Sequence, residues 1–129
     1  MQQFCDVVPK RLMASRHLDE VSECRFRHVR DETEKFVPHC HEYYEIFLMI
    51  KGKALHGVNG KTDLIEAGTL IFIRKDDAHD YMSVDGSFEF ANLAFSEGTL
   101  RCLFDYLGDG FPASTLLESE YPPEVHLTD

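Results

Sequence analysis

Two histidines stand two residues apart, His39 and His41, with Glu45 four positions further on and His79 alone after the turn-like stretch RKDDA. Imidazole nitrogens and a carboxylate oxygen form a good donor set for a divalent first-row ion such as Zn, Ni, Mn or Fe. On a β-strand, residues of equal parity share a face, so His39, His41 and Glu45 can point the same way while His79 supplies a fourth donor from a neighbouring strand. The competing reading is an exposed strand face on which two histidines and a glutamate meet without a ligand. Cys40, between the two histidines, should face away on a regular strand and turn inward only at a bulge. His56 reads as solvated beside a hairpin, and His126 as part of a tail.

These residues need strands to hold them. The stretch from Glu45 to Ile50 is densely apolar and closed by Gly52, which suits a strand in a sheet covered on both sides. Asn59-Gly60 between short apolar segments predicts a two-residue hairpin, because both turn positions require positive φ. Leu70 to Ile73 reads as another buried strand, a further one begins near His79, and Phe88 and Phe90 lie in the next apolar stretch. Val21, Cys24, Phe26 and Val29 alternate only imperfectly and suggest one or two strands before Pro38. Seven or more strands with closely spaced turns predict an all-β barrel or sandwich. Leu100, Leu103, Phe104 and Leu107 then follow helical spacing, with Ser96 placed to cap the helix and Gly108 to end it. The stretch after it, polar, acidic and proline-bearing, reads as a linker.

Composition narrows the function classes. The chain has 129 residues, room for one domain, and its formal charge of −10 opposes binding to a phosphate backbone or an anionic membrane by this segment. No run approaches the length of a membrane span, and the opening residues lack a secretory core, so a cytoplasmic location is expected. Cys5, Cys24, Cys40 and Cys102 form no C-x-x-C pair and read as reduced thiols.

The spacing His39-x-His41-x3-Glu45-x6-Gly52, followed by Gly68 and His79, resembles the paired motifs of the metal-binding cupins. That resemblance implies a double-stranded β-helix, or jelly-roll, barrel with the three histidines and the glutamate holding a metal inside it. The first motif lacks its leading glycine, and in the second Arg74 replaces proline, Asp76 glycine and Ser83 asparagine. All four ligand positions are kept, so the departures bear on turn geometry more than on the donor set. The segment from Val37 to Ser96 is further similar to the N-terminal sensor half of AraC-type transcription regulators, in particular the chitooligosaccharide-responsive ones. This resemblance implies a cupin ligand-binding and dimerisation domain over 1–112, then a linker over 113–129 toward a downstream helix-turn-helix half.

Three functions remain open at this level. The first is an effector sensor, its pocket lined by Tyr43, Phe47, Met49 and Phe72, binding a metal and a small sugar-like ligand as a homodimer, and contacting DNA only through the downstream half. The second is a stand-alone metal-dependent dioxygenase or isomerase. A dimerisation module with a vestigial site is the third, the terminal helix then serving as core or dimer contact.

Overall fold

The computed structural model describes residues 10–32 and 36–127. The described strands are β1 (Lys10–Leu12), β2 (Cys24–Glu32), β3 (Phe36–His41), β4 (Tyr44–Val58), β5 (Lys61–Glu66), β6 (Thr69–Ile73), β7 (His79–Phe95) and β8 (Glu124–His126), with a short helix α1 (Ala14–His17) between β1 and β2. The strands form one mixed sheet, ordered β1-β3-β7-β4-β6-β8, with β2 paired to β7 and β5 to β4. The two long strands, β4 (Tyr44–Val58) and β7 (His79–Phe95), run antiparallel over nearly their whole length and form its spine. Along β7 lie β2 (Cys24–Glu32) and β3 (Phe36–His41), and β1 (Lys10–Leu12) runs parallel to β3. Along β4 lie β5 (Lys61–Glu66) and β6 (Thr69–Ile73).

The spine is bent at one place. The pairing of β4 with β7 shifts twice between Met49 and Lys53, opposite a stretch of β7 where Asp85 and Gly86 have φ of 56° and 104°. Gly52 sits in this bend at φ 85°, where a Cβ would lie 2.5 Å from the Ser87 carbonyl oxygen, so only glycine fits. The shift reverses which face each parity occupies. Inward residues are odd before the bend in β4, at Glu45, Phe47 and Met49, and even after it, at Ala54, His56 and Val58, all buried.

The inner core gathers Phe47, Met49, Ala54, Ile65, Ile71, Ile73, Tyr81, Phe88 and Phe90. A second cluster on the outer face joins Tyr44 and Phe95 to Leu100 of helix α2 (Glu97–Leu107), with Ile46, Phe72 and Phe104 against it. Ser96 caps α2 by accepting a 3.1 Å hydrogen bond from Thr99 N, and Gly108 ends it at φ 79°, as the sequence predicts. Of the expected apolar stripe only Leu100 is buried and Phe104 half-buried, while Leu103 and Leu107 are 42% and 41% exposed. The hairpin at Asn59-Gly60 has φ of 49° and 84°, the two positive values its turn requires.

Two expectations change. The segment after Pro112 is folded onto the sheet up to Leu127: it carries a short helix, Ala113–Glu118, and a strand β8 (Glu124–His126) paired with β6. Its polar composition hid the cause, which is hydrogen bonding. The buried Arg74 guanidinium donates to Leu116 O, Ser119 O and Ser119 Oγ at 2.8–2.9 Å while forking onto Asp77 at 2.7 and 3.2 Å. His126 accordingly lies on a strand at the sheet edge. His56 is buried rather than solvated, because the parity reversal at Gly52 turns it inward. Cys5 lies outside the described residues.

Candidate metal centre

His39 and His79 lie directly opposite one another in the β3–β7 register, with ring centroids 4.3 Å apart. His41 ends β3. The chain then bends at Glu42-Tyr43 before β4 begins, so Glu45 does not share one continuous strand with the histidines as parity alone suggested. The bend nonetheless brings the carboxylate back toward the same point. One ring nitrogen from each of His39, His41 and His79 lies within 4.8 Å of the other two. Glu45 Oε2 is 3.2 Å from His41 Nε2 and 3.8 Å from His79 Nε2.

The unsatisfied atoms point to a shared ligand. His41 Nε2, His79 Nε2 and Glu45 Oε2 are buried, face one another and form no hydrogen bond. Leaving such groups unpaired costs about 1–3 kcal/mol each, more when charged, and a cation among them would satisfy all three at once. The outer contacts agree. His41 Nδ1 is 2.7 Å from Tyr43 O; a carbonyl only accepts, so the proton sits on Nδ1 and the Nε2 lone pair faces the centre. His79 Nδ1 is 2.9 Å from Tyr81 Oη and 3.5 Å from His56 Nε2, either of which can accept its proton and leave Nε2 free. The residues present therefore fit a divalent ion held by three imidazoles and one carboxylate.

Burial, and then the neighbouring His39, His41 and His56, hold the His79 pKa well below its ordinary value. The ring is neutral, as a ligand must be. Burial pushes the Glu45 carboxyl up, but His41, then His39 and the Asn92 amide, outweigh it and keep the pKa below the ordinary value. Burial lowers His56 to about 4, so it too is neutral at pH 7.

A cavity of about 340 Å³ opens on this centre, with His39, Glu45 and Tyr43 in its wall. Tyr43 is buried and stacked on His41 at 4.5 Å. Phe47 and Met49 are fully buried core residues that do not line it; Phe47 stacks beneath Tyr81 at 4.9 Å and supports the wall from behind. Phe72 faces away altogether, into a separate apolar groove of about 420 Å³ between the outer sheet face and α2. Cys40 also points away, in register with Arg11 and beside its guanidinium.

A family model described as the AraC-like ligand binding domain matches residues 23–122. The chain belongs to that family. It is 34% identical over 73 residues to the HTH-type transcriptional activator RhaR of Klebsiella pneumoniae subsp. pneumoniae, covering 57% of this chain and 26% of that protein. RhaR of Escherichia coli O139:H28 is 32% identical over 81 residues, covering 61% and 28%. The match thus spans little more than a quarter of these relatives. Among solved structures, KdgF from Halomonas sp. superposes with a TM-score of 0.54 at 15% identity, over 61% of this chain and 75% of that one. A cupin protein from Bacteroides fragilis gives 0.54 at 18% identity, over 61% and 70%. Oxalate decarboxylase of Bacillus subtilis, a protein with Mn(II) centres, gives 0.51 at 18% identity over 59% and 22%. The fold of this AraC-like domain is therefore the cupin barrel expected from the sequence.

Several residues around the centre of the AraC-like domain escaped the sequence reading. Tyr81 and His56 orient His79, and Asn92 supports Glu45. Tyr81 could have been found from the parity of β7, two residues after His79. His56 could not, since the reversal at Gly52 is visible only once the two long strands are paired. Arg25 and Arg27 on β2 also reach the cavity wall.

Proposed function

We propose that this AraC-like domain is the effector-sensing part of a transcription regulator, holding a divalent metal through His39, His41, Glu45 and His79. The observation that carries the metal assignment is the set of three buried, mutually facing and unpaired ligand atoms. A bound divalent ion supplies a Lewis-acidic anchor for ligand oxygens. The protein supplies the rest: Tyr43 and Phe90 give the cavity wall an aromatic part, and Glu45 and His39 fix its polar end.

The route from this site to an attached DNA-binding half runs through the turn between β6 and β7. That turn begins at Arg74, which grips the 113–127 segment, and ends at His79, which faces the metal. A ligand that moves His79 or the turn shifts the same residues that hold the 113–127 segment. We further propose a homodimer formed through α2, whose Leu103 and Leu107 remain exposed beside Tyr106, 87% exposed.

Elemental analysis of the purified chain tests the assignment. Near-stoichiometric divalent metal in the wild type, lost in His41→Ala with the circular dichroism spectrum unchanged, is the expected result. Wild-type protein that takes up no metal from any of Zn, Ni, Mn or Fe refutes the metal site.

A further inference from the structure

The cavity beside the metal centre carries a charge opposite to that of the whole chain. The chain has a formal charge of −10, yet Lys10, Arg25 and Arg27 all line this one cavity, and among the described residues Glu45 is the one carboxylate in its lining. Their placement follows from register. Arg25 lies opposite Ala94, Arg27 opposite Asn92 and Val29 opposite Phe90, and Val29 packs on the inner core, so this parity of β2 faces inward. Lys10 is in register with His39.

Among the described residues, none of the three cations has an acidic partner. Elsewhere four arginines and a lysine are paired: Arg11 with Asp76, Arg30 with Glu89, Arg74 with Asp77, Arg101 with Glu97 and Lys61 with Asp63. The three line the cavity yet remain exposed to solvent, so holding them there costs little. Their field reaches the wall: the His17 pKa is lowered by burial first and next by the charges of Arg25 and Lys10.

A second observation defines the other end of the ligand. The Asn92 amide hydrogen bonds toward the Glu45 carboxylate, which leaves Asn92 Oδ1 buried in the cavity wall with no hydrogen-bond donor. A carbonyl oxygen can be satisfied only by a donor, and a ligand hydroxyl is one.

Resting on the sensor reading above, we propose that the effector is a small hydroxycarboxylate, its carboxylate bound by Arg25 and Arg27 and a hydroxyl donated to Asn92 Oδ1 beside the metal centre. A neutral sugar leaves the guanidiniums unused, and a simple fatty acid leaves Asn92 unsatisfied. The cavity, about 340 Å³, is at the small end of ligand sites and suits an acid of monosaccharide size. Arginine forks match a carboxylate with two parallel hydrogen bonds, which orients the acid as well as holding it.

Calorimetric titration of the metal-loaded chain tests this, with D-galacturonate and D-gluconate as probes and D-galactose and D-glucose as their neutral counterparts. Each sample is also assayed for metal content, and the titrations are repeated on Arg25→Gln/Arg27→Gln. The expected result is at least one acid binding about tenfold or more tightly than its neutral counterpart, and weakening by about tenfold or more in the double variant. Three outcomes overturn the proposal: neutral sugars binding as well as the acids, neither acid binding at millimolar concentration, or acid binding unchanged in the double variant, which would mean chelation by the metal alone. With metal retained, these results remove the ligand class and leave the sensor reading standing. A wild-type chain that cannot be loaded with metal refutes the site beneath the proposal, and the proposal with it.

Discussion

Replacing Arg74 by methionine should cost this domain a large part of its stability. The Arg74 and Asp77 side chains are each 7% exposed, so their attraction is little screened by solvent. Methionine keeps the apolar stem and removes the guanidinium. Asp77 would then keep only the Arg74 backbone N–H at 2.8 Å and the Asn59 amide at 2.9 Å, while Leu116 O, Ser119 O and Ser119 Oγ lose their donor. Removing one partner of a buried ion pair costs about 3–5 kcal/mol. Because Asp77 retains two donors and Ser119 is exposed enough to turn to water, the lower end, about 3 kcal/mol, applies. With a urea slope of about 1.5 kcal/mol/M, the unfolding midpoint should fall by about 2 M. Arg74→Lys keeps the charge but not the fork, and should fall between the two. In hydrogen exchange, the amides of 116–127 should lose protection before those of β4 and β7. A midpoint shift equivalent to less than about 1 kcal/mol, with exchange in 116–127 unchanged, would refute the view that this arginine clamps the segment.

Four further perturbations probe other parts of the structure. Gly52→Ala should destabilise by about 2 kcal/mol or more, since both the positive φ and the Ser87 carbonyl oppose a Cβ, whereas Gly60→Ala, with the same φ but open space, should cost about 1 kcal/mol; equal losses in urea melts would contradict the close approach. Ser96→Ala removes the α2 cap and should cost about 1 kcal/mol, read from the same melts. Tyr81→Phe takes away an acceptor for His79 Nδ1 and should weaken metal binding by about tenfold, measured by competition with a chromogenic chelator; an unchanged affinity would assign that role to His56. Leu103→Asp should shift the chain toward monomer on a sizing column if α2 mediates pairing, and an unaltered profile would exclude that face.

The local signals in the chain were those whose physics is local. Asn59-Gly60 needs positive φ at both positions, Ser96 caps within its own first turn, and neither depends on distant residues. The donor set His39, His41, Glu45 and His79 was likewise readable as residue types at a spacing, and its resemblance to the cupin motifs pointed to the barrel. A single strand does not hold it together, because the chain bends at Glu42-Tyr43 and Glu45 reaches the histidines across that bend.

What tertiary structure alone decided depends on pairing between segments far apart in sequence. The double register shift around Gly52 exchanges inside for outside along β4, and so turns His56 into the core, where a local hydropathy pattern placed it in water. The same dependence put Phe72 on the outer face, away from the cavity to which its aromatic character assigned it. Arg74 looked like a defect in a turn motif until Leu116 and Ser119 were seen folded against it, and the polar stretch that carries them looked like a linker. By itself the sequence determined the Asn59-Gly60 hairpin, the capped helix α2 and which side chains can bind a cation. Which of those side chains meet was decided by strand register, because a one-residue shift costs nothing locally yet reverses the face of every residue that follows it.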